Sequence, residues 1–235
     1  MSGLTALRTY AQTNPAKIPA SILFSHTSTS LTIYDAFPKG IFHFLVLPRV
    51  QEPFTVSELS DLRTLLSGDK ARAKQVISAL NEDAKALRKE IEEEMLARYG
   101  FKWNVWTGFH AVPSMAHLHL HVLSDDLLSE KFKHKKHYNS FHPKLGFFLD
   151  VDEVLSWFEA EDSYYTAMAK LDTKHYESML KEDLSCWRCN ASMKTIPALK
   201  AHLQEEWDTQ AKREKAKIER RRKMEEKGGD AATTE

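Results

Sequence analysis

The sequence predicts an α+β fold, in which helices flank an antiparallel sheet and a small C-terminal zinc finger follows. Strand-like and helix-like segments mix without the regular βαβ alternation of a parallel sheet. One strand-like segment, 116–123, carries histidines at alternate positions. Near the C-terminus, two cysteines and a histidine have the spacing of a zinc finger.

The individual elements follow from the hydrophobic pattern and the turn residues. Segment 70–99 has apolar residues three and four apart, which predicts a helix, and Gly100 stands in the position of its C-cap. The other predicted helices are 3–12, 56–66 and 152–161, the predicted strands are 21–24, 30–34, 41–47, 103–108, 116–123 and 147–151, and 131–137 is predicted as a basic loop.

The chain divides into four predicted parts. They are a histidine-bearing domain (1–161), a helical connector (162–184), the finger (185–207), and a charged helix with a disordered tail beginning at Gly228 (208–235). With 33 basic and 33 acidic residues the formal net charge is zero, so overall charge identifies no partner. Two cysteines exclude a disulfide scaffold, and no segment has the length of a membrane span or the order of a signal peptide. We expect a soluble, intracellular protein without a membrane partner.

Three histidines, His117, His119 and His121, alternate with leucines. In a strand they would share one face, with the leucines in the core. Three groups that titrate near neutral pH are rarely placed together for packing alone. A metal site is the alternative, but ligands about 6–7 Å apart along a strand suit a single metal poorly. A row of imidazoles suits a phosphate better, because one ring can attack while others orient it or donate hydrogen bonds.

The run from His117 to Leu123 resembles the signature of the histidine triad superfamily of nucleotide hydrolases and transferases. The segment from Asp35 to Pro48 resembles the ribose-binding segment of that superfamily. More narrowly, the resemblance is to the aprataxin family of DNA-adenylate hydrolases. It covers residues 3–207 and is carried by Phe37-Pro-Lys39, Gly108-Phe-His110-Ala-Val-Pro-Ser114-Met and Lys135-Lys-His137-Tyr-Asn-Ser-Phe141.

This resemblance implies a reaction and a role for each matching residue. His119 would attack the AMP phosphorus with Nε2, while a backbone carbonyl holds its Nδ1–H, and water would resolve the covalent His–AMP intermediate. His121 would donate to a phosphate oxygen, His117 would orient the site, and His110 would act as general acid or charge stabiliser. Asp35 would bind the ribose, and Ser114 and Lys39 the phosphates. The chemistry needs no metal.

The resemblance also implies a DNA substrate. The expected partner is double-stranded or nicked DNA with an adenylated 5′ end, and AMP is the expected product. Lysines of a basic run bind phosphates without reading sequence. The expected DNA-binding residues are Lys39, His43, Lys133, Lys135, Lys136 and His137. By analogy we expect a monomer, located in the nucleus. The basic run Arg220–Lys223 is a nuclear-localisation patch, a DNA contact or simply a solvated helix face.

The finger is predicted from ligand spacing. Cys186 and Cys189 stand on a tight knuckle, and a helix would place His202 and Glu206 one turn apart on one face. Glu206 stands where a second histidine is usual, and Glu205 is a less suitable alternative. Four protein ligands close the site, so the zinc would be structural. Two rival functions remain open: a general nucleotide hydrolase or phosphoramidase acting on free nucleotides, and a DNA-binding module without catalysis.

Overall fold

The sheet has six strands and is antiparallel throughout. The computed structural model describes residues 3–231, with side chains from 4 to 224. The strands, listed in chain order, are β1 (Leu23–His26), β2 (Ser30–Tyr34), β3 (His43–Pro48), β4 (Val105–His110), β5 (Leu120–Ser124) and β6 (Phe148–Asp150). They lie side by side as β1-β2-β3-β5-β4-β6, and each neighbouring pair is antiparallel. The predicted fold class is therefore confirmed.

Helices pack around the sheet and continue beyond it. In chain order they are α1 (Ala6–Gln12), α2 (Leu62–Leu66), α3 (Lys70–Tyr99), α4 (Lys135–Asn139), α5 (Val151–Trp157), α6 (Asp162–Ala169), α7 (Thr173–Met179) and α8 (Ile196–Ala231). α3 has the predicted bounds. The Asp69 carboxylate accepts from the Arg72 amide at its start, and Gly100 ends it at φ 78°, a left-handed conformation that glycine adopts without strain.

The two faces of the sheet pack against different elements. Val46 and Val122 face the buried side of α3 and belong to the main hydrophobic core. On the other face, Leu45 packs with Leu7 of α1 in a smaller core. His43 and His121 lie on this second face, because side chains two apart on a strand share a face. The histidines therefore lie opposite α3.

Gly108 on β4 allows β6 to approach closely. A Cβ built at this position would lie 2.7 Å from Cε1 of Phe148 and would also meet the Leu149 carbonyl. Real Cβ atoms do not come so close to other atoms, so only glycine fits the observed spacing. This glycine keeps the β4–β6 pairing next to His110.

Several sequence predictions of local structure were wrong. The helix predicted over 56–66 begins at Leu62, and the loop predicted over 131–137 contains the start of α4. The strand predicted from 116 begins at Leu120, because His117 has a φ of 99° and interrupts the extended chain. α8 runs without a break across the boundary drawn between 207 and 208. The tail predicted to be disordered begins within this helix, and 232–235 lie outside the described residues. Among the described helices, none has both the length and the apolar character that crossing a membrane requires.

Candidate active site

Four imidazole rings meet at the junction of β3, β4 and β5. His121 is central: its ring centroid lies 4.4 Å from that of His110, 4.9 Å from that of His119 and 5.2 Å from that of His43. We call these four residues the histidine cluster. Three of its members, His43, His119 and His121, are buried. The predicted catalytic residues His110, His119 and His121 are thus brought together.

His119 is held with one nitrogen free. Its Nδ1 lies 2.8 Å from the carbonyl oxygen of His117, and a carbonyl can only accept, so Nδ1 carries the proton. In the neutral ring the lone pair is then on Nε2. The expected backbone acceptor for His119 is therefore present, and the hydrogen bond fixes the orientation of this ring.

His121 has the opposite tautomer, because of its partner His43. The Lys39 backbone N–H donates to His43 Nδ1 at 3.0 Å, so a neutral His43 carries its proton on Nε2. That atom lies 3.0 Å from His121 Nδ1, which must accept. The proton of His121 is consequently on Nε2, which is buried and has no hydrogen-bond partner among the described residues. His121 therefore presents a donor that is free to bind an anion's oxygen.

Burial keeps the cluster neutral. It lowers the pKa of His43 to about 4, against the opposing influence of the Asp35 carboxylate. It also lowers the pKa of His119, while the hydrogen bond to the His117 carbonyl raises it. Burial places the pKa values of His110 and His121 well below 6.5, and the neighbouring imidazoles lower them further. Burial thus favours the neutral imidazole at all four positions.

Asp35 and Lys39 lie at the edge of the cluster. Asp35 Oδ2 is 3.4 Å from His43 Nε2, and its Oδ1 accepts from the Phe37 amide at 2.6 Å. Lys39 is largely buried, its ammonium donates to the Phe37 carbonyl, and burial lowers its pKa. Both residues are therefore positioned beside the rings.

The structure places three predicted site residues differently from the expectation. The His43 side chain is fully buried, so in this structure it does not offer a DNA-binding surface. His117 Nε2 donates to the Pro48 carbonyl at 2.7 Å, and its ring lies outside the cluster, so His117 contacts the cluster through its backbone carbonyl, which accepts from His119. Ser114 is exposed and lines a separate cleft with Leu4 and Arg8.

The basic run beside the cluster is only partly free. Lys133 and Lys136 are exposed, whereas Lys135 pairs with the Asp183 carboxylate at 3.1 Å and donates to the Lys181 carbonyl. His137 lies close enough to Lys39 for that ammonium to lower its pKa, although burial has the larger effect. The run therefore borders the active site, with Lys133 and Lys136 available to a partner.

The four predicted zinc ligands converge. The ligand atoms of Cys186, Cys189, His202 and Glu206 all lie within 4.8 Å of one another. Cys189 Sγ is 3.2 Å from His202 Nε2, which is 3.5 Å from a Glu206 oxygen. Ligand atoms around a tetrahedral zinc ion are separated by about 3.3–3.8 Å, so this donor set fits zinc. Glu206, and not Glu205, completes the group.

One residue of the site was missed by reasoning from residue chemistry. The Phe141 ring lies 4.5 Å from that of His110, 5.1 Å from that of His121 and 5.4 Å from that of His43. Phenylalanine has no titratable or coordinating group, so no chemical signal points to it. Its only signal in the sequence is its place at the end of the segment 135–141 that resembles the aprataxin family.

Comparisons with known proteins agree with this architecture. A family described as "Scavenger mRNA decapping enzyme C-term binding" matches residues 9–137, and one described as "C2HE / C2H2 / C2HC zinc-binding finger" matches residues 144–209. The aprataxin-like protein of Schizosaccharomyces pombe is 32% identical over 183 residues, which are 75% of this chain and 70% of that protein. The chain belongs to the aprataxin family. It therefore has the fold of the histidine triad superfamily, and its finger is of a zinc-binding type.

Other members of the aprataxin family match this chain with similar sequence identity. Aprataxin of Ciona intestinalis is 31% identical over 173 residues, or 74% of this chain, which spans only 39% of the length of that protein. A solved structure described as "Hnt3 in complex with DNA and guanosine" matches with a TM-score of 0.64 and 26% identity, covering 91% of this chain and 100% of that one.

Proposed function

We propose that this protein hydrolyses the anhydride between AMP and the 5′-phosphate of adenylated DNA, leaving a plain 5′-phosphate end. The observation that carries the proposal is the pair of opposite tautomers in the histidine cluster. His119 offers a lone pair on Nε2, and His121 offers a proton on Nε2. A phosphoryl group needs both, because its phosphorus accepts electrons while its oxygens gain negative charge.

In the first step, His119 Nε2 attacks the phosphorus of AMP. A nitrogen–phosphorus bond forms, and the bond from phosphorus to the bridging oxygen breaks, so the DNA 5′-phosphate leaves with the electron pair. His119 then carries positive charge, which its Nδ1–H shares with the His117 carbonyl. His121 donates to a non-bridging oxygen, and His110 stabilises the departing phosphate. Such preoriented donors are worth about 10²–10³ in rate each.

In the second step, water attacks the same phosphorus and the nitrogen–phosphorus bond breaks. AMP leaves, the water proton passes to solvent or to a neighbouring base, and neutral His119 is restored. Asp35 holds the ribose, and Lys39 binds a phosphate oxygen. These residues supply the attack and the charge stabilisation between them, so we propose that the chemistry proceeds without a catalytic metal.

The DNA is bound by the basic run and the finger. The exposed ammonium groups of Lys133 and Lys136 attract backbone phosphates, and His137 adjoins them near the cluster. DNA complexes of the structurally similar Hnt3 support the proposal that this chain binds DNA. Zinc is structural in this proposal, because four protein ligands leave no open coordination position. We further propose that the protein acts as a monomer in the nucleus.

A single assay tests the proposed reaction. The protein is incubated with 5′-adenylated nicked duplex and, separately, with a diadenosine polyphosphate. We expect AMP and a 5′-phosphate end from the DNA, formed much faster than products from the dinucleotide. Equal rates would indicate a general nucleotide hydrolase, and no turnover of either would indicate a binding module.

A matched pair of histidine variants tests the nucleophile. His119→Ala should abolish turnover and the covalent AMP adduct seen by mass spectrometry of alkaline-quenched samples. His175→Ala, an exposed histidine on α7, should leave both unchanged. An AMP adduct on the His119→Ala protein would overturn the assignment.

A further inference from the structure

A short segment connects the histidine cluster to the zinc finger. Residues 138–141 span the end of α4 and the turn after it, where the Phe141 amide donates to the Tyr138 carbonyl at 3.0 Å. Phe141 is buried and touches three rings of the cluster, those of His43, His110 and His121. We call 138–141 the linking turn.

The other end of the linking turn is bound to the finger. The Tyr138 hydroxyl donates to the Ser185 carbonyl at 2.9 Å and accepts from the Trp187 amide at 2.9 Å. These two residues flank the zinc ligand Cys186. The fully buried Asn139 amide donates to the Glu182 carbonyl at 2.8 Å, on the chain that enters the finger. The Tyr138 hydroxyl thus fastens the linking turn to the finger backbone, and the Asn139 side chain fastens it to the end of the connector that leads into the finger.

The packing joins the same parts. One hydrophobic cluster contains Leu123 of β5 and Phe148 of β6, two residues of the linking turn, Leu184 at the end of the connector, and the finger residues Cys186, Leu199 and Leu203. Protein interiors are densely packed, so a shift at one side of such a cluster is transmitted to the other. The finger and the histidine-bearing strands therefore share one core.

We propose that the zinc finger acts as a positioning element for the histidine cluster, through Tyr138, Asn139 and Phe141. The finger keeps the linking turn in place, and Phe141 in turn holds the rings of His43, His110 and His121 at their observed spacing. This role is additional to holding DNA. This proposal rests on the proposed function only in those tests that measure turnover.

The physical reason lies in how such fingers fold. A small finger without its metal is unfolded, so zinc removal would free the Ser185 carbonyl and the Trp187 amide that hold Tyr138. The linking turn would then lose its hydrogen-bond partners in the finger and one side of its core. Misplacing a reacting group by 1 Å can cost about 10²-fold in rate, so even a small movement of Phe141 should be measurable.

The first test compares the zinc-loaded full-length chain with the same protein after chelation, on two substrates. One is 5′-adenylated nicked DNA, and the other is a small AMP phosphoramidate, which is too small to reach the finger. We expect kcat to fall at least about tenfold on both substrates. If the finger only held DNA, zinc removal would raise KM for the DNA and leave turnover of the small substrate unchanged. That result would overturn the proposal.

The second readout is the nitrogen NMR spectrum of the histidine rings. This measurement does not depend on enzymatic activity. Zinc removal should shift the signals of His43, His110 and His121. His117 serves as the internal control, because the Pro48 carbonyl and not the linking turn holds its ring. Unchanged signals from the three cluster rings would overturn the proposal even if the protein proved inactive on adenylated DNA.

Two tyrosine variants separate positioning from general stability. Tyr138→Phe removes only the hydroxyl that binds the finger. Tyr165→Phe removes an equivalent hydroxyl on α6 that donates to the Leu66 carbonyl at 2.9 Å, in the main hydrophobic core and not in the core that contains the linking turn. With zinc retained, Tyr138→Phe should lower kcat at unchanged KM and shift the cluster signals, and Tyr165→Phe should do neither. Equal kcat values for the two variants would contradict the proposal.

Discussion

Replacing His117 by glutamine should make the stability of the protein less dependent on pH. Burial lowers the pKa of His117 from 6.5 to about 4, although the Pro48 carbonyl opposes the shift. The unfolded chain therefore binds this proton more readily than the folded one does. The stability that the neutral ring provides is complete above pH 6.5 and is lost as the pH falls towards 4.

The size of the effect follows from the two pKa values. Linkage between them gives a loss of about 2 kcal/mol on going from pH 7.5 to pH 5, and about 3 kcal/mol once both states are fully titrated. Glutamine has no proton to gain in this range, and its amide can still donate to Pro48. The free energy of unfolding of His117→Gln should therefore fall by about 2 kcal/mol less than that of the wild type.

Urea unfolding at pH 7.5, 6.5, 5.5 and 5.0 measures this difference. Loss of zinc at low pH destabilises both proteins. The result is therefore the difference between the two proteins in how far the free energy of unfolding falls. Ile77→Val is a suitable control, because it destabilises the α3 core without removing a titrating group. If His117→Gln and wild type lost the same stability between pH 7.5 and pH 5, the ring would not be held neutral as inferred.

Three further predictions concern the site and the sheet. His43→Leu removes the donor to His121 and should lower kcat by about 10²–10³ with little change in KM. An unchanged kcat would refute the inference that His43 fixes the tautomer of His121. Lys136→Ala should raise KM for DNA. It should also reduce by about 1 the slope of the logarithm of the DNA-binding constant against the logarithm of the salt concentration. Lys135→Ala should have a smaller effect, because the Asp183 carboxylate holds that lysine. Gly108→Ala should lower the urea midpoint, since its Cβ would lie 2.7 Å from Phe148 Cε1, and an unaltered midpoint would contradict the close approach.

The sequence was sufficient where a local pattern determines the structure. The spacing of apolar residues and Gly100 predicted α3 with its observed bounds. Ligand spacing likewise favoured Glu206 as the fourth member of the zinc group and kept Glu205 as an alternative, because residues three and four apart both share a helix face, and the structure brings Glu206 into the group.

Long-range packing determines the features that were missed. The alternation of histidines predicted three rings on one face, but His117 adopts a φ of 99° and its ring turns towards Pro48. His43 was expected at a DNA surface, yet it is buried against a strand distant in sequence. Phe141 shows no chemical pattern at all. Each of these outcomes depends on contacts between residues remote in the sequence, which neither periodicity nor spacing encodes.

The acceptor that orients His119 is part of the main chain. Any side chain placed at position 117 keeps the same carbonyl, so an alanine scan would pass over this hydrogen bond without detecting it. Substitutions at position 117 can alter it only indirectly, by disfavouring the left-handed backbone. Replacing the peptide bond after residue 117 with an ester would remove an amide donor and weaken the carbonyl as an acceptor. Chemical synthesis of the backbone can therefore test the carbonyl of residue 117, which side-chain substitution does not remove.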